Sequence, residues 1–390
     1  MTETTAAAPA PDALASVLAD APFVRLVATD DGDALAAAGT LARALRQRAI
    51  PFQVRVSRDP VPDATDDDVV VTVGSAAGPH AIPATGRPAS TTAFAVAAAL
   101  GVAPDPVLPL AGVVAAGSVP GTDGSGDALE AAERAGLVDR RPGVAVPTAD
   151  LADGLAASTL IRAPYSGDPE STRAALADLG LPATLDDDAH RRLASLVAVD
   201  VVAAESASER AASAVERALR PYATDGDAAP FATVGGYADV LDALALESPG
   251  TGVALALAAD PDPPARTAAL DVWRTHGHET HRALDAATIG RYDGCVVARV
   301  EASATTLPTA ARLIRDFRSP EPVAIALEEA SGAIAAAAID GVGGTGLGDA
   351  CRAAATAVGG DGWGNATRGG LVTDGDPTEA LAALREELPR

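Results

Sequence analysis

The stretch ATDDGDALAAAGTLARAL, residues 28–45, sets Asp30, Asp31 and Asp33 where an apolar run, FVRLV, gives way to an alanine-rich helix. Carboxylate oxygens at that spacing are donors that hard divalent cations, Mn2+ or Mg2+, prefer. The same residues also suit a helix N-terminus, where acidic side chains accept from unpaired N–H groups and face the positive end of the dipole. A two-metal phosphoesterase needs further ligands, usually His and Asp from separate strands. The segment alone leaves both readings open.

Other chemistry-bearing residues are few. THGHETHRA supplies three of the five histidines, His276, His278 and His281, which look like a metal cluster. Their spacing does not place all three on one face of the helix that carries them, so a solvated helix end is expected. His80 and His190 are isolated and expected at a surface or in a loop. GGDGWGNATRGG, residues 359–370, reads as a glycine-dense loop of the kind that lets backbone approach phosphate. It lacks the lysine of a nucleotide-hydrolysing P-loop. Arg312, Arg315 and Arg318 in ARLIRDFRSP could offer guanidinium forks to phosphate, or face solvent from a helix. No nucleophile elbow and no dinucleotide fingerprint is present.

The elements that must position these groups follow from hydrophobic patterning. Residues 23–30, 52–57 and 67–74 read as strands, with helices over 34–48, 91–101, 110–118 and 126–138. Apolar strands without alternation, separated by helices, predict a mostly parallel sheet covered on both faces. In such sheets sites lie at the carboxyl ends of strands, where Asp31 and Asp33 fall. A polar helical stretch over 186–220 reads as a connector. A second α/β set follows: strands at 252–258, 294–302, 322–330 and 334–341, a helix at 264–285, and a last helix at 377–388. The fold class is therefore α/β, with two lobes joined by helices.

Composition narrows the setting. The 390 residues carry a formal charge of −24, all 29 basic residues are arginine, and Asn365 is the single asparagine. Acidity spread along every surface segment suits solvation in high salt and a GC-rich genome, so a halophilic archaeon is the expected source. It makes a broad basic groove impossible without excluding nucleic acid. Cys295 and Cys351 match no disulfide or zinc spacing, the start lacks a signal-peptide pattern, and no run is long enough to span a membrane. A reduced cytoplasm is expected.

In shared order, these segments resemble the DHH phosphoesterase superfamily, in particular the archaeal RecJ-like, GINS-associated nucleases. ATDDGDALAAAGTLARAL is similar to the first motif, a strand ending in His-x-Asp-x-Asp. DDVVVTVGS is similar to the second-motif strand, STTAFAVAAALG to the helix after the DHH triplet, and LAGVVAAGSVPG to the fourth motif. IRAPYSGDPESTRAALADLGL resembles a stretch with a Pro-Phe/Tyr-x-x-Gly core, and APFATVGGYADV with GVALALA the segment before the second domain. GGDGWGNATRGG resembles the DHHA1 loop GGxGGGHxxAAG, and FRSPEPVAIALEEA its Arg-Ser strand end. The resemblance implies a DHH-like parallel-sheet domain over 1–190, a helical connector over 191–245 and a smaller DHHA1-like domain over 246–390. It also implies nucleic-acid contacts at Arg318, Gly360, Gly362, Asn365 and Arg368.

The departures fall on the chemistry. Thr29 stands where the family has histidine, Thr72 or Gly74 where it has the second-motif aspartate, and Ser118 where it has the fourth-motif aspartate. The DHH triplet is absent, with only His80 nearby, and Asn365 replaces the DHHA1 histidine. Two carboxylates offer too few anionic ligands for a metal pair. Asp31 and Asp33 therefore read as a remnant metal set and a helix cap, and no cofactor is expected. The resemblance implies a non-catalytic protein of DNA replication or repair, like the RecJ-related subunit of the CMG helicase. Its partners would be GINS and MCM, beside an active RecJ-like paralogue, with possible single-stranded DNA contact. The alternatives are an active single-strand exonuclease using Mn2+ or Mg2+, and a nucleotide or small-molecule sensor built on the glycine loop.

Overall fold

The computed structural model describes residues 10–59, 68–182, 185–224, 229–258, 260–339 and 346–388. The ends of the expected strands at residue 67 and at 340–341 lie outside the described residues. Contacts divide the chain into two compact units, residues 1–140, 146–148 and 222–273 forming the first and 141–145, 149–221 and 274–390 the second. These boundaries differ from the three consecutive segments expected above, because the chain leaves the first unit and returns to it.

The first unit is built on a parallel sheet of β1 (Val24–Ala28), β2 (Phe52–Val56), β3 (Val69–Gly74) and β4 (Ala81–Pro83), ordered β2-β1-β3-β4. Val24 pairs with Phe52 on one side and Val69 on the other, and Ala28 with Val56 and Val73. This unit also holds helices α1 (Pro11–Ala19), α2 (Gly32–Gln47), α3 (Ala89–Ala99), α4 (Val107–Ala115) and α5 (Gly126–Arg134). A two-stranded sheet joins β5 (Val138–Arg140) to β6, the latter following helices α6 (Leu151–Ala157), α7 (Pro169–Ala177), α8 (Asp187–Ala203) and α9 (Arg210–Ala218) of the second unit and spanning Tyr222–Thr224. Helices α10 (Val234–Glu247) and α11 (Pro249–Leu257) then return to the first unit. Residues 32–45 of α2 are buried on every side, as a helix without a polar face must be. Alanine and glycine let α3, α4, α10 and α11 all approach it closely.

The run GVALALA, expected as a strand, is the body of α11. Short apolar runs do not distinguish a buried strand from a buried helix. Here Pro249 occupies the first helical turn, where its fixed φ and missing N–H favour a helix start.

The chain continues through α12 (Pro263–Ala286), whose residues from Arg274 onward belong to the second unit. Strands β7 (Thr288–Tyr292), β8 (Cys295–Arg299), β9 (Val323–Glu328), β10 (Ala333–Ala338), β11 (Asp361–Gly364) and β12 (Arg368–Val372) form one sheet, ordered β11-β12-β10-β9-β8-β7. Only β8 and β9 pair in parallel within it. Between them run α13 (Leu307–Leu313) and a π-helical turn, Ile314–Arg318. Helices α14 (Leu347–Val358) and α15 (Pro377–Glu387) share a core with Val297, Ile325, Ile334 and Leu371 on one sheet face. Among the described residues no helix is long and apolar enough to cross a membrane.

Arg43 ties α2 to the end of α11. Its Nε donates to Ala256 O at 2.7 Å, Nη2 to Ala258 O at 2.5 Å and Nη1 to Asp105 at 2.7 Å. Replacing Arg43 with alanine orphans these acceptors and should cost about 2–4 kcal/mol in denaturant unfolding. Arg43→Lys should recover only part of it, because one ammonium cannot span three acceptors fixed for a planar fork.

Candidate functional site

Strands β1 and β3 end side by side, and α2 starts where β1 stops. Asp31 is the N-cap of α2, its Oδ1 accepting from Ala34 N at 2.9 Å and its Oδ2 from the Thr29 hydroxyl at 2.7 Å. Asp33 reaches across to the start of α3, where its two oxygens accept from Ala89 N at 2.6 Å and Ser90 N at 2.9 Å. Asp242 of α10 accepts from Gly32 N at 2.8 Å. Asp30 pairs with Arg58 at 3.2 Å. Asp31, Asp33 and Asp242 thus serve two helix N-termini, whose first N–H groups have no partners within their own helices.

The positions matching the second motif are also committed. Thr72 is buried and its hydroxyl donates to Ala77 O. Gly74 has φ +85, and a Cβ built on it would collide with the Thr29 hydroxyl. A carboxylate at position 74 is therefore excluded by backbone conformation and by Thr29 together. Ser118 lies just past α4, its N–H bonded to Val113 O. His80 is half-buried just before β4. Among the described residues, no group of three or more His, Cys, Asp or Glu side chains is placed to hold a metal ion. Each oxygen of Asp31 and Asp33 accepts from a protein donor, and with no group of three or more metal-ligating side chains among the described residues the pair fits helix caps better than a two-metal centre.

The residues expected to meet nucleic acid have structural work. The glycine-dense segment is a β-hairpin, β11 and β12, where a loop was expected. Gly362 lies so close to Cys351 O and the Arg352 Cα of α14 that a Cβ would not fit. Gly360 is likewise pressed against Val372 O. Asn365 shapes the turn, its Oδ1 accepting from Thr367 N and Arg368 N, both at 3.0 Å. Arg368 is half-buried at the start of β12. Arg318 ends the π-helical turn and donates to Leu284 O at 2.9 Å.

The histidine segment is not a solvated helix end. His276 and His281 are buried within the second unit, because α12 is covered there by residues 158–167 and by α13. His276 Nε2 meets the Thr309 hydroxyl at 2.8 Å. His281 Nε2 is 2.9 Å from Ser158 O, an acceptor, so this nitrogen carries the proton and Nδ1 accepts from Arg162 at 3.1 Å. Burial, then the Arg162 charge, push His281 down to about 3, so it stays neutral. Nor do the three nearby arginines face solvent: Arg312 donates to Thr159, and Arg315 to Asp316 and Ala338 O. Arg162 and Asp285 were not singled out from sequence; the signal available was an arginine inside the apolar run TLIRAPY.

The four-stranded parallel sheet and the six-stranded mixed sheet match a DHH-type fold of the kind seen in CDC45 and RecJ. CDC45 from Entamoeba histolytica matches over 97% of this chain and 97% of its own, at 8% identity and a TM-score of 0.62. RecJ from Thermus thermophilus, in complex with Mn2+, matches 97% of this chain and 54% of its own, at 13% identity and a TM-score of 0.52. In sequence, residues 287–386 match the family described as "Uncharacterized protein rrnAC1427, C-terminal domain". The rrnAC1427 protein of Haloarcula marismortui is 48% identical over 366 residues, covering 89% of this chain and 93% of its own. The chain belongs to the rrnAC1427 family.

Burial and then the neighbouring Asp31 charge push the Asp33 carboxyl up to about 7, against the pull of the Ser90 and Ala89 donors. The folded chain then holds a proton that the unfolded chain releases near 3.8. Stability relative to Asp33→Asn should accordingly fall as pH rises from about 4 to about 7, and level off outside that window. Thermal unfolding at constant ionic strength measures this; a pH-independent difference would show a carboxylate charged throughout.

Proposed function

We propose that this chain is a non-catalytic DHH-type protein of DNA replication or repair, acting as a scaffold for GINS and MCM. One observation carries the loss of catalysis: the Thr29 hydroxyl occupies the space beside Gly74 and donates to Asp31. Hydrolysis of a phosphodiester by this fold class depends on a metal-activated water, and the residues that would hold the metals are spent on backbone caps. The scaffold role rests on the resemblance stated from sequence, supported by a fold likeness to CDC45 that runs the length of both chains. A lysine-free, acid-rich chain and a haloarchaeal relative support a cytoplasm of high salt as its setting.

Two measurements test the proposal. Affinity capture in molar salt should bring down both GINS and MCM subunits. Labelled single-stranded DNA with Mn2+ should be degraded no faster than in protein-free controls. Degradation that disappears in the Asp31→Ala/Asp33→Ala double variant would identify an active exonuclease instead.

A further inference from the structure

The C-terminal half of α2 borders a cavity of about 240 Å³, bounded on its other side by residues 102–105 and by Leu108 of α4. All of these residues belong to the first unit. Arg43 lies about 18 Å along the helix axis from the Asp31 cap, at 1.5 Å per residue. The cavity is therefore at the opposite end of α2 from the strand ends and their carboxylates.

Val102, Pro104 and Leu108 give the cavity an apolar wall. Its polar groups are few, and those of α2 fall where residues three and four apart adjoin. Arg43 is 7% exposed and already neutralised by Asp105, which also borders the space. Asp105 accepts from Arg43 Nη1 at 2.7 Å and from Val107 N at 2.9 Å, so both its oxygens are engaged. Arg46 is different. It is exposed at the rim, and among the described residues its fork makes one hydrogen bond, from Nη2 to Leu257 O at 3.0 Å. Gln47, exposed beside it, brings a side-chain amide to the same rim. The unspent donors thus sit at the mouth and the apolar surface lies within.

Size and chemistry together restrict the occupant. Nucleotide-sized ligands fill pockets of roughly 300–1,000 Å³, and no aromatic ring borders this one for a base to stack on. At roughly 30 Å³ for each water-sized group, the space admits about eight heavy atoms. A bare phosphate here would lie against valine, proline and leucine with much of its charge unpaired. A small cation finds the Asp105 carboxylate held by Arg43. An apolar body ending in one carboxylate meets both halves of the cavity, because a guanidinium takes a carboxylate through parallel N–H bonds.

We propose that this cavity binds a short aliphatic carboxylate, its hydrocarbon against Val102, Pro104 and Leu108 and its charge on Arg46 and Gln47. The site stands on the first unit alone and does not depend on the scaffold reading. Its ligand chemistry is shared by a free branched acid and by the C-terminal residue of a peptide.

Calorimetric titration of the full chain with 3-methylbutanoate at one fixed salt concentration tests it, beside 3-methylbutanol, which has the same body without the charge. The acid should bind on the order of tenfold more tightly than the alcohol. Arg46→Gln should remove that difference while leaving the alcohol's affinity unchanged. Ala103→Phe, a substitution of an exposed lining residue, should fill the space and weaken both ligands at least tenfold, with the thermal unfolding midpoint showing that the fold is intact. A dipeptide ending in leucine that displaces 3-methylbutanoate, when its C-terminal amide does not, identifies a peptide terminus as the source. One that does not displace it identifies a free acid, and either result keeps the site. No binding of the acid, equal affinity for acid and alcohol in the native chain, or affinities unmoved by both substitutions overturns it.

Discussion

The guanidinium fork is the interaction on which each unit depends for its distant cross-links. Without lysine, every cationic tether in this chain is planar, permanently charged and able to donate in several fixed directions. In the first unit, Arg43 and Arg46 close over the carbonyls of residues 256–258, the C-terminal end of α11. That end carries partial negative charge and orphan acceptors, which a fork satisfies together. In the second unit Arg210 does the same for a turn, donating to the carbonyls of Ser319, Pro320 and Glu321. Arg312 fastens Thr159 through both its carbonyl and its hydroxyl. The excess of acid over base concerns solvation; cohesion at range is assigned to a few arginines, most of them partly or wholly buried.

The acidic trio shows the complementary use of carboxylates. An oxygen that can ligate a cation can equally accept from a backbone N–H, and helix N-termini supply such donors where strand meets helix. Asp31, Asp33 and Asp242 are all used in this second way. The helix starts that would surround a metal are thus held by the same residue type, with peptide donors in the role of the ion.

What was legible in the sequence followed the strength of local pattern. Strands β1, β2 and β3 and helices α2, α12 and α15 were readable because their apolar runs are long or bounded by clear caps. The run in α11 was misread because seven small apolar residues carry no period that separates the two structures. The hairpin of β11 and β12 was hidden for a different reason. Glycine is disfavoured in strands by intrinsic preference, but here α14 lies so close that Gly362 admits no side chain. Tertiary contact, invisible locally, selected the residue type.

Buried polar groups were the least legible part, and the reason is general. His281, Arg162 and Asp285 lie on α12 and a loop more than a hundred residues earlier, so no window of sequence contains their relation. Burial of a histidine is stable only if each ring nitrogen finds a partner of the right sense, and those partners come from other elements. Spacing along one helix, the criterion that set the three histidines aside, measures only whether they could share a face. It is silent on whether an arginine and a carbonyl wait opposite. The same blindness left Arg318 open between a phosphate fork and a solvent-facing residue: its helix changes to a π-turn just where the fork points inward to Leu284 O. Where charge is buried, the neighbouring elements decide the role, and the first observation that reveals it is an imbalance of partners.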